Sequence, residues 1–307
     1  MSKDFIRPFL LSEGLFRGNV VKISDAVKET VRRKSYPLPV AALLAETQTA
    51  AALMSSALKY DGVFTLQIKG DGALQTLVTD ITSEGKIRSY ARYDEQAVAE
   101  ITQDEIKERG SVPTLLKSGY ISFTIDINGG TDRYQGSVEL QGKNIADCAL
   151  QYFKQSEQID TVLKIAVDTS NGVENIKAAG IMLQQMPAFG GNKIGLSKSP
   201  EDIREEWNTD VILLSSLKNS EMTSDKISAD KLLYMIYNEQ EITVFDEKTL
   251  SFACRCSKER IKAVLASFNE NDFNEVFKNG KTEVACEFCG EKYEITKEEA
   301  QAVRGAN

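Results

Sequence analysis

Two cysteine motifs, Cys254-Arg255-Cys256 and Cys286-Glu287-Phe288-Cys289-Gly290, are the features of the sequence that decide how the C-terminal part of this chain folds. The spacing is C-x-C, then 29 intervening residues, then C-x2-C. Four thiolates in two close pairs are typical of a tetrahedral Zn²⁺ site, and a glycine after the second pair suits the tight turn beneath the metal. The sequence therefore predicts one zinc ion per chain, with the ligands Cys254, Cys256, Cys286 and Cys289.

The residues between the two pairs predict a small fold. Ser257 has the type and position of a helix N-cap, and a second helix starts at Asn269 or Asn271 and ends at Asn279-Gly280. Lys281 to Ala285 then leads in extended form to the second pair. Because so short a region buries little apolar surface, we expect the metal to supply much of its folding free energy.

Composition excludes several classes of protein. The 307 residues include five cysteines and no histidine, so catalytic triads with histidine, Cys-His pairs and imidazole metal ligands are excluded. The 37 basic and 45 acidic residues give a net charge of −8, which argues against general nucleic-acid binding. Neither a signal peptide nor a membrane-spanning stretch is evident, which predicts a cytoplasmic protein without membrane contact. In that reducing compartment, clustered cysteines indicate metal or redox chemistry.

The rest of the sequence predicts the α+β class, with a mostly antiparallel sheet core, long helices, a helical linker and a small C-terminal four-cysteine domain. The predicted domains are residues 1–187, 188–250 and 251–307. In the first, alternating apolar residues and glycine-rich turns predict strands, and proline before an alanine-rich stretch predicts a long helix. The predicted strands are 64–68, 73–81, 86–93, 119–127, 134–140, 159–168 and 174–185, with a turn at 128–130 and helices at 39–59 and 144–155.

The predicted linker consists of a loop and two amphipathic helices. The loop 189–197 has a superficial likeness to a phosphate-binding loop, but Leu196 stands where lysine is required. A helix over 200–220 carries an apolar stripe, and a second helix over 229–239 begins at Ser228. The stripe consists of Ile203, Trp207, Val211, Leu214 and Leu217. Packing on a sheet is the simplest interpretation of this face.

All-cysteine zinc sites are usually structural, but two features favour a redox switch. Each pair is close enough to form its own disulfide, and four cations near the cysteines would favour thiolates, the form that oxidants attack. These cations are Arg255, Lys258, Arg260 and Lys292. The fifth cysteine, Cys148, lies in an apolar helix and is predicted to be a small buried hydrophobe.

These residues resemble the heat-shock protein 33 family of redox-regulated holdase chaperones. The resemblance lies in two cysteine motifs, Phe252 to Arg260 and Glu283 to Tyr293, and in four upstream motifs. The upstream motifs are Arg17-Gly18, Tyr134-Gln135-Gly136, Tyr152 to Gln158 and Ala179 to Pro187. Two positions depart from the family's pattern: Tyr237-Asn238-Glu239 stand where relatives often have histidine, and Lys258 replaces a common arginine.

The resemblance implies a protein that is not an enzyme and has no catalytic residues. The reduced, zinc-bound form would be a poorly active monomer. Peroxide with heat, or hypochlorous acid, would form the disulfides Cys254–Cys256 and Cys286–Cys289 and release zinc. The zinc region and linker would then unfold, and the protein would become a homodimer that binds unfolded client proteins without ATP. The linker helices would cover an apolar sheet face at rest and expose it after oxidation.

Two other functions stay open at this point. A nucleic-acid-binding zinc ribbon needs a basic surface, which the net charge opposes. A thiol–disulfide oxidoreductase would use Cys286 and Cys289, but such a motif should open a helix that follows a strand.

Overall fold

The structure, a computed structural model, describes residues 4–127, 133–186 and 198–304. The chain divides into a first compact unit that ends at Phe252 and a second that begins at Ala253. The predicted α+β class is confirmed, whereas the three-domain division stays a prediction. The predicted turn at 128–130 and the loop 189–197 lie outside the described residues.

Two six-stranded sheets form the framework of the first unit, where the sequence led us to expect one. The first sheet contains β1 (Phe5–Leu11), β2 (Phe16–Ile23), β8 (Thr161–Asp168), β9 (Lys177–Gln185), β10 (Ile242–Val244) and β11 (Lys248–Thr249). Its strand order is β10-β1-β2-β9-β8, and β11 is also paired to β1. The second sheet contains β3 (Gly62–Gly70), β4 (Leu74–Thr82), β5 (Lys86–Tyr93), β6 (Gly119–Ile127), β7 (Arg133–Glu139) and β12 (Ser251–Phe252). Its strand order is β12-β5-β4-β3-β6-β7. Neighbouring strands are antiparallel except β12, which is parallel to β5.

The helices of the first unit lie within a few residues of the predicted positions wherever the sequence predicted a helix. They are α1 (Asp25–Lys34), α2 (Leu38–Ser56), α3 (Glu95–Glu100), α4 (Gln103–Arg109), α5 (Ile145–Tyr152), α6 (Pro200–Ser216), α7 (Asn219–Met222) and α8 (Ala229–Tyr237). Helix α6 is shorter than the predicted 200–220 because Leu217 is extended and ends it. Helix α5 continues into a π-helical turn, Phe153–Glu157.

Helix α2 is the centre of the main core. It contacts strands of both sheets, and 14 of its 19 residues are buried. Gly180 of β9 lets the first sheet approach α2 closely, because a Cβ atom at this position would lie 2.7 Å from Leu53 and from Thr49. No residue of α2 is exposed, so the helix has no solvent-facing side. Among the described residues, no helix combines the length and apolarity needed to cross a membrane.

The first sheet is covered on both faces. Val21 and Met182 belong to the main core around α2, whereas their neighbours Val20 and Ile181 belong to a second apolar cluster. The second cluster is completed by α6, α7 and α8. The segment predicted as a linker therefore packs its helices on the face of the first sheet opposite α2.

The second unit is a hairpin with three helices. It contains α9 (Lys258–Ala266), α10 (Glu270–Val276), β13 (Lys281–Ala285), β14 (Lys292–Thr296) and α11 (Lys297–Arg304). Ser257 and Asn269 cap α9 and α10, as predicted, by accepting backbone hydrogen bonds from Arg260 and Asp272. Its apolar cluster has five buried residues: Leu265, Phe273, Phe277, Ile295 and Ala300.

Candidate metal centre

The four C-terminal cysteines come from two short segments of the second unit. Cys254 and Cys256 lie in the extended chain before α9, and Cys286 and Cys289 lie in the turn between β13 and β14. Their four sulfur atoms all lie within 4.8 Å of one another. Residues 32 positions apart in sequence, such as Cys254 and Cys286, thus meet at one point.

The spacing of the sulfurs fits zinc. The Cys254 Sγ to Cys286 Sγ distance is 3.7 Å, and the Cys256 Sγ to Cys289 Sγ distance is 3.4 Å. A tetrahedron with Zn–S bonds of about 2.3 Å has sulfur–sulfur edges of about 3.8 Å. Four soft sulfur donors in this arrangement also match the ligand preference of Zn²⁺. The site can therefore hold one metal ion with these four residues as ligands.

The turn that carries Cys286 and Cys289 has the backbone that a metal knuckle needs. Cys286 N donates to the carbonyl of Glu291 over 2.8 Å, and Gly290 N donates to the carbonyl of Cys286 over 2.8 Å. Gly290 has a φ of +74°, a left-handed conformation in which a side chain is strained. The predicted requirement for glycine after the second pair is confirmed.

The thiols of Cys286 and Cys289 favour the protonated form when no cation is bound. Burial raises the pKa of Cys286 and of Cys289, although backbone hydrogen bonds from Phe288 and Cys289 to Cys286, and from Glu291 to Cys289, act in the opposite direction. A divalent cation reverses this balance because it binds only the thiolate form. Metal binding must therefore release protons from these thiols.

The cations near the site are directed mainly elsewhere. Lys258 Nζ pairs with Glu299 over 2.6 Å, and Lys292 Nζ pairs with Glu283 over 2.8 Å. Arg260 donates to the backbone carbonyl of Arg255. The charges of Lys258 and Lys292 are thus shared with carboxylates, and the Arg260 guanidinium has a backbone acceptor, while their expected effect on the thiols stays a prediction.

Sequence reasoning missed one residue of the site, Tyr293. Its hydroxyl lies 3.2 Å from Cys256 Sγ. The only signal in the sequence was that Tyr293 ends the second cysteine motif, four positions after Cys289, which gives no indication of a sulfur contact.

The oxidoreductase alternative finds no support in this geometry. The Cys286–Cys289 turn joins two antiparallel strands of a hairpin and does not open a helix. The pKa of Cys286 is raised, whereas the nucleophilic cysteine of such an enzyme has a lowered pKa.

The predicted apolar stripe of α6 faces the first sheet. Leu214 and Leu217 are buried in the second cluster, Ile203 and Trp207 pack against it, and Val211 is half-buried. The Trp207 ring centroid lies 5.5 Å from that of Phe16 on β2.

Polar contacts fasten the linker helices to the same sheet. Lys164 Nζ on β8 donates to the carbonyls of Ser215 and Leu217 at the end of α6. Lys22 Nζ on β2 donates to the carbonyls of Ser224 and Ile227 before α8. Arg7 on β1 forms two hydrogen bonds of 3.0 Å with the carboxylate of Asp230.

One carboxyl group is buried between the linker helices. Asp210 on α6 has no exposed surface, and burial raises its pKa to about 6. Gln240 donates to one of its oxygens, and Tyr237 donates to its backbone carbonyl over 3.2 Å. The second carboxyl oxygen of Asp210 and the side-chain carbonyl oxygen of Gln240 are buried without a hydrogen-bond donor in the described chain.

Cys148 belongs to the first unit, in α5. It is fully buried in the main core, and burial raises its pKa to about 12. The prediction of a buried packing residue is confirmed.

Comparison with known proteins places this architecture in a family. The family model described as Hsp33 protein matches residues 4–296. The 33 kDa chaperonin of Caulobacter vibrioides is 33% identical over 296 residues, which cover 95% of this chain and 94% of that protein. The 33 kDa chaperonin of Pseudomonas putida strain F1 is 34% identical over 294 residues, covering 94% and 90%.

A solved structure has the same fold. The crystal structure of the 33 kDa chaperonin (heat shock protein 33 homolog) from Thermotoga maritima aligns with a TM-score of 0.81. It is 22% identical, and the alignment covers 99% of this chain and 98% of that one. With the family model and the curated relatives matching almost from end to end, the chain belongs to the Hsp33 protein family.

Proposed function

We propose that this protein is a redox-regulated, ATP-independent chaperone of the cytoplasm that prevents the aggregation of unfolded proteins. Membership of the Hsp33 family supports a chaperone function. The main support for redox regulation is the cluster of four sulfurs within 4.8 Å of one another. Each of these proposed metal ligands is also a group that peroxide oxidises.

The resting form holds one Zn²⁺ on Cys254, Cys256, Cys286 and Cys289. When bound, the ion keeps these cysteines as thiolates and contributes folding free energy to a unit with only five buried residues in its apolar cluster.

Oxidation removes the ligands in pairs. A thiolate attacks peroxide, the O–O bond breaks, and the sulfenic acid that forms condenses with the neighbouring thiol to give a disulfide and water. Two thiolates, one peroxide and two protons thus yield one disulfide and two water molecules. The pairs we propose are Cys254–Cys256 and Cys286–Cys289, which join cysteines close in sequence.

The covered face of the first sheet is the surface we propose for clients. Phe9, Phe16 and Val20 on this face are buried by the linker helices. The chain from the linker to the zinc unit is held by strands of two or three residues, β10, β11 and β12, so little structure opposes its release. After release the protein binds unfolded clients through this apolar face and forms a homodimer; nucleic acids and membranes are not partners.

The test combines zinc content, thiol count and client aggregation in one sample. The reduced protein should release one zinc and lose four thiols on treatment with peroxide at raised temperature, and should then suppress light scattering from a heat-denatured reporter enzyme. Oxidised, zinc-free protein that leaves the scattering unchanged would contradict the proposal.

A further inference from the structure

Tyr293 connects the apolar cluster of the second unit to the metal centre. It lies on β14 opposite Val284 of β13, and its ring packs against the cluster that contains Phe273 and Ile295. Its hydroxyl group lies 3.2 Å from Cys256 Sγ. The ring is thus held by packing while the hydroxyl is aimed at one sulfur.

The direction of this hydrogen bond follows from the chemistry of its partners. A tyrosine hydroxyl can donate as well as accept a hydrogen bond, whereas a thiolate has no proton to give. When Cys256 is a thiolate, Tyr293 is therefore the donor.

Cys256 differs from the second pair in the kind of donor it receives. Cys286 accepts hydrogen bonds from the backbone of Phe288 and Cys289, and Cys289 accepts one from the backbone of Glu291. Those donors belong to the turn itself. The donor to Cys256 is a side chain from a strand, and it can be removed by substitution without altering the turn.

We propose that Tyr293 is a positioning residue that slows the oxidation of Cys256 and so sets its reactivity relative to the Cys286–Cys289 pair. A hydrogen bond to a thiolate withdraws electron density from the sulfur, which makes it a weaker nucleophile toward the peroxide oxygen. The inference rests on the proposed function in one respect: peroxide is the oxidant, accepting two electrons from sulfur as its O–O bond breaks.

The test is the replacement Tyr293→Phe, which keeps the ring and removes the hydroxyl. Zinc-loaded protein is treated with hydrogen peroxide, quenched with an alkylating agent at intervals, and analysed by peptide mass spectrometry, which reports each cysteine separately. If losing the bond raises the basicity of the sulfur by about one pK unit, nucleophilicity rises about threefold. We expect oxidation of Cys256 to accelerate about threefold, with Cys286 and Cys289 unchanged.

Two controls separate this role from a structural one. Tyr234→Phe, at a tyrosine that is 67% exposed on α8, should leave all four rates unchanged. Equal acceleration at all four cysteines in Tyr293→Phe would mean that the variant only loosens the unit, and slower oxidation of Cys256 would mean that the hydroxyl assists the reaction. Either result overturns the proposal.

A second variant covers the case in which Tyr293→Phe does not hold zinc. Site-specific 3-fluorotyrosine at position 293 retains the ring and makes the hydroxyl a stronger donor, so Cys256 should be oxidised more slowly than in the unmodified protein. An unchanged or faster rate would contradict the proposal. Because the readout is thiol oxidation, its outcome is independent of whether the oxidised protein acts as a chaperone.

Discussion

At the scale of single residues, the five cysteines lie in two distinct environments. Four sulfurs converge on one point, whereas Cys148 is enclosed by the main core. We expect Cys289→Ser to lower zinc affinity by orders of magnitude and to unfold the second unit, because a structural zinc site contributes about 10–16 kcal/mol in small domains.

The matched control is Cys148→Ala, which also removes one thiol. It should retain one zinc per chain and cost about 1 kcal/mol of stability for the lost buried sulfur. Zinc stoichiometry by atomic absorption and amide exchange of the second unit measure both variants. Full zinc content in Cys289→Ser would show that this cysteine is not a ligand.

Asp210 makes the linker pH-sensitive. Its pKa in the folded protein, about 6, lies above the ordinary value of 3.8, so the folded state binds the proton more tightly than the unfolded state. The stabilising effect of the neutral acid is therefore complete below about pH 4 and is lost as pH rises through 6. Glu206 adds a like charge nearby, and Lys198 offsets part of it.

Replacement of Asp210 by asparagine should stabilise α6 at neutral pH. The amide carries no charge, and its N–H group lies near acceptors that lack a donor, among them Gln240. Two pK units correspond to about 3 kcal/mol, which is an upper bound for the gain. Hydrogen exchange of the α6 amides at pH 7.5 and 5.5 measures it: exchange should be slower in the variant, by a factor that shrinks at the lower pH. Faster exchange in the variant at pH 7.5 would refute this account of Asp210.

At the scale of elements, α6 holds the linker on the first sheet through one face. Leu214 has no exposed surface, whereas Ile212 on the same helix is 69% exposed. Leu214→Glu would place a charge against the apolar sheet, so the helices should detach and the reduced, zinc-bound protein should suppress aggregation without oxidation.

Ile212→Glu is the control for this prediction, since it introduces the same charge on the solvent side of α6. It should leave the reduced protein inactive and its binding of an apolar fluorescent dye unchanged. If both reduced variants suppress aggregation, or neither does, then detachment of the linker helices does not control the chaperone activity.

The elements also show what the sequence could and could not reveal. Strands β3 and β6 alternate apolar and polar residues over most of their length, and the predicted ranges of β3 to β6 agree with the structure within two residues. Strands β1 and β2 gave no such signal because β2 is buried on both faces, with Val20 and Val21 in different clusters. The strands β10 to β12 have only two or three residues, which is too short for any periodicity.

The metal ligands were more predictable than the contacts made by the residues around them. Zinc ligands can be recognised from residue type and spacing, so the sequence alone identified Cys254, Cys256, Cys286 and Cys289. The Tyr293 contact and the buried position of Asp210 depend on three-dimensional packing and could not be inferred. The carboxylate partners of Lys258 and Lys292, which are Glu299 and Glu283, could not be inferred either, since these residues come together only in the fold.

At the scale of the whole molecule, the two units differ in what stabilises them. The first is built on a large core around α2, and the second has five buried residues in its apolar cluster and a metal site. We expect oxidation to unfold the second unit and to free the linker helices, while the two-sheet core stays folded.

The most direct test of this claim is hydrogen exchange across the whole chain before and after oxidation with peroxide at raised temperature. The account predicts that amides of residues 200–237 and 253–304 lose protection on oxidation, while those of α2, residues 38–56, remain protected. Protection of α6 and α8 that is unchanged in the oxidised, zinc-free protein would contradict it.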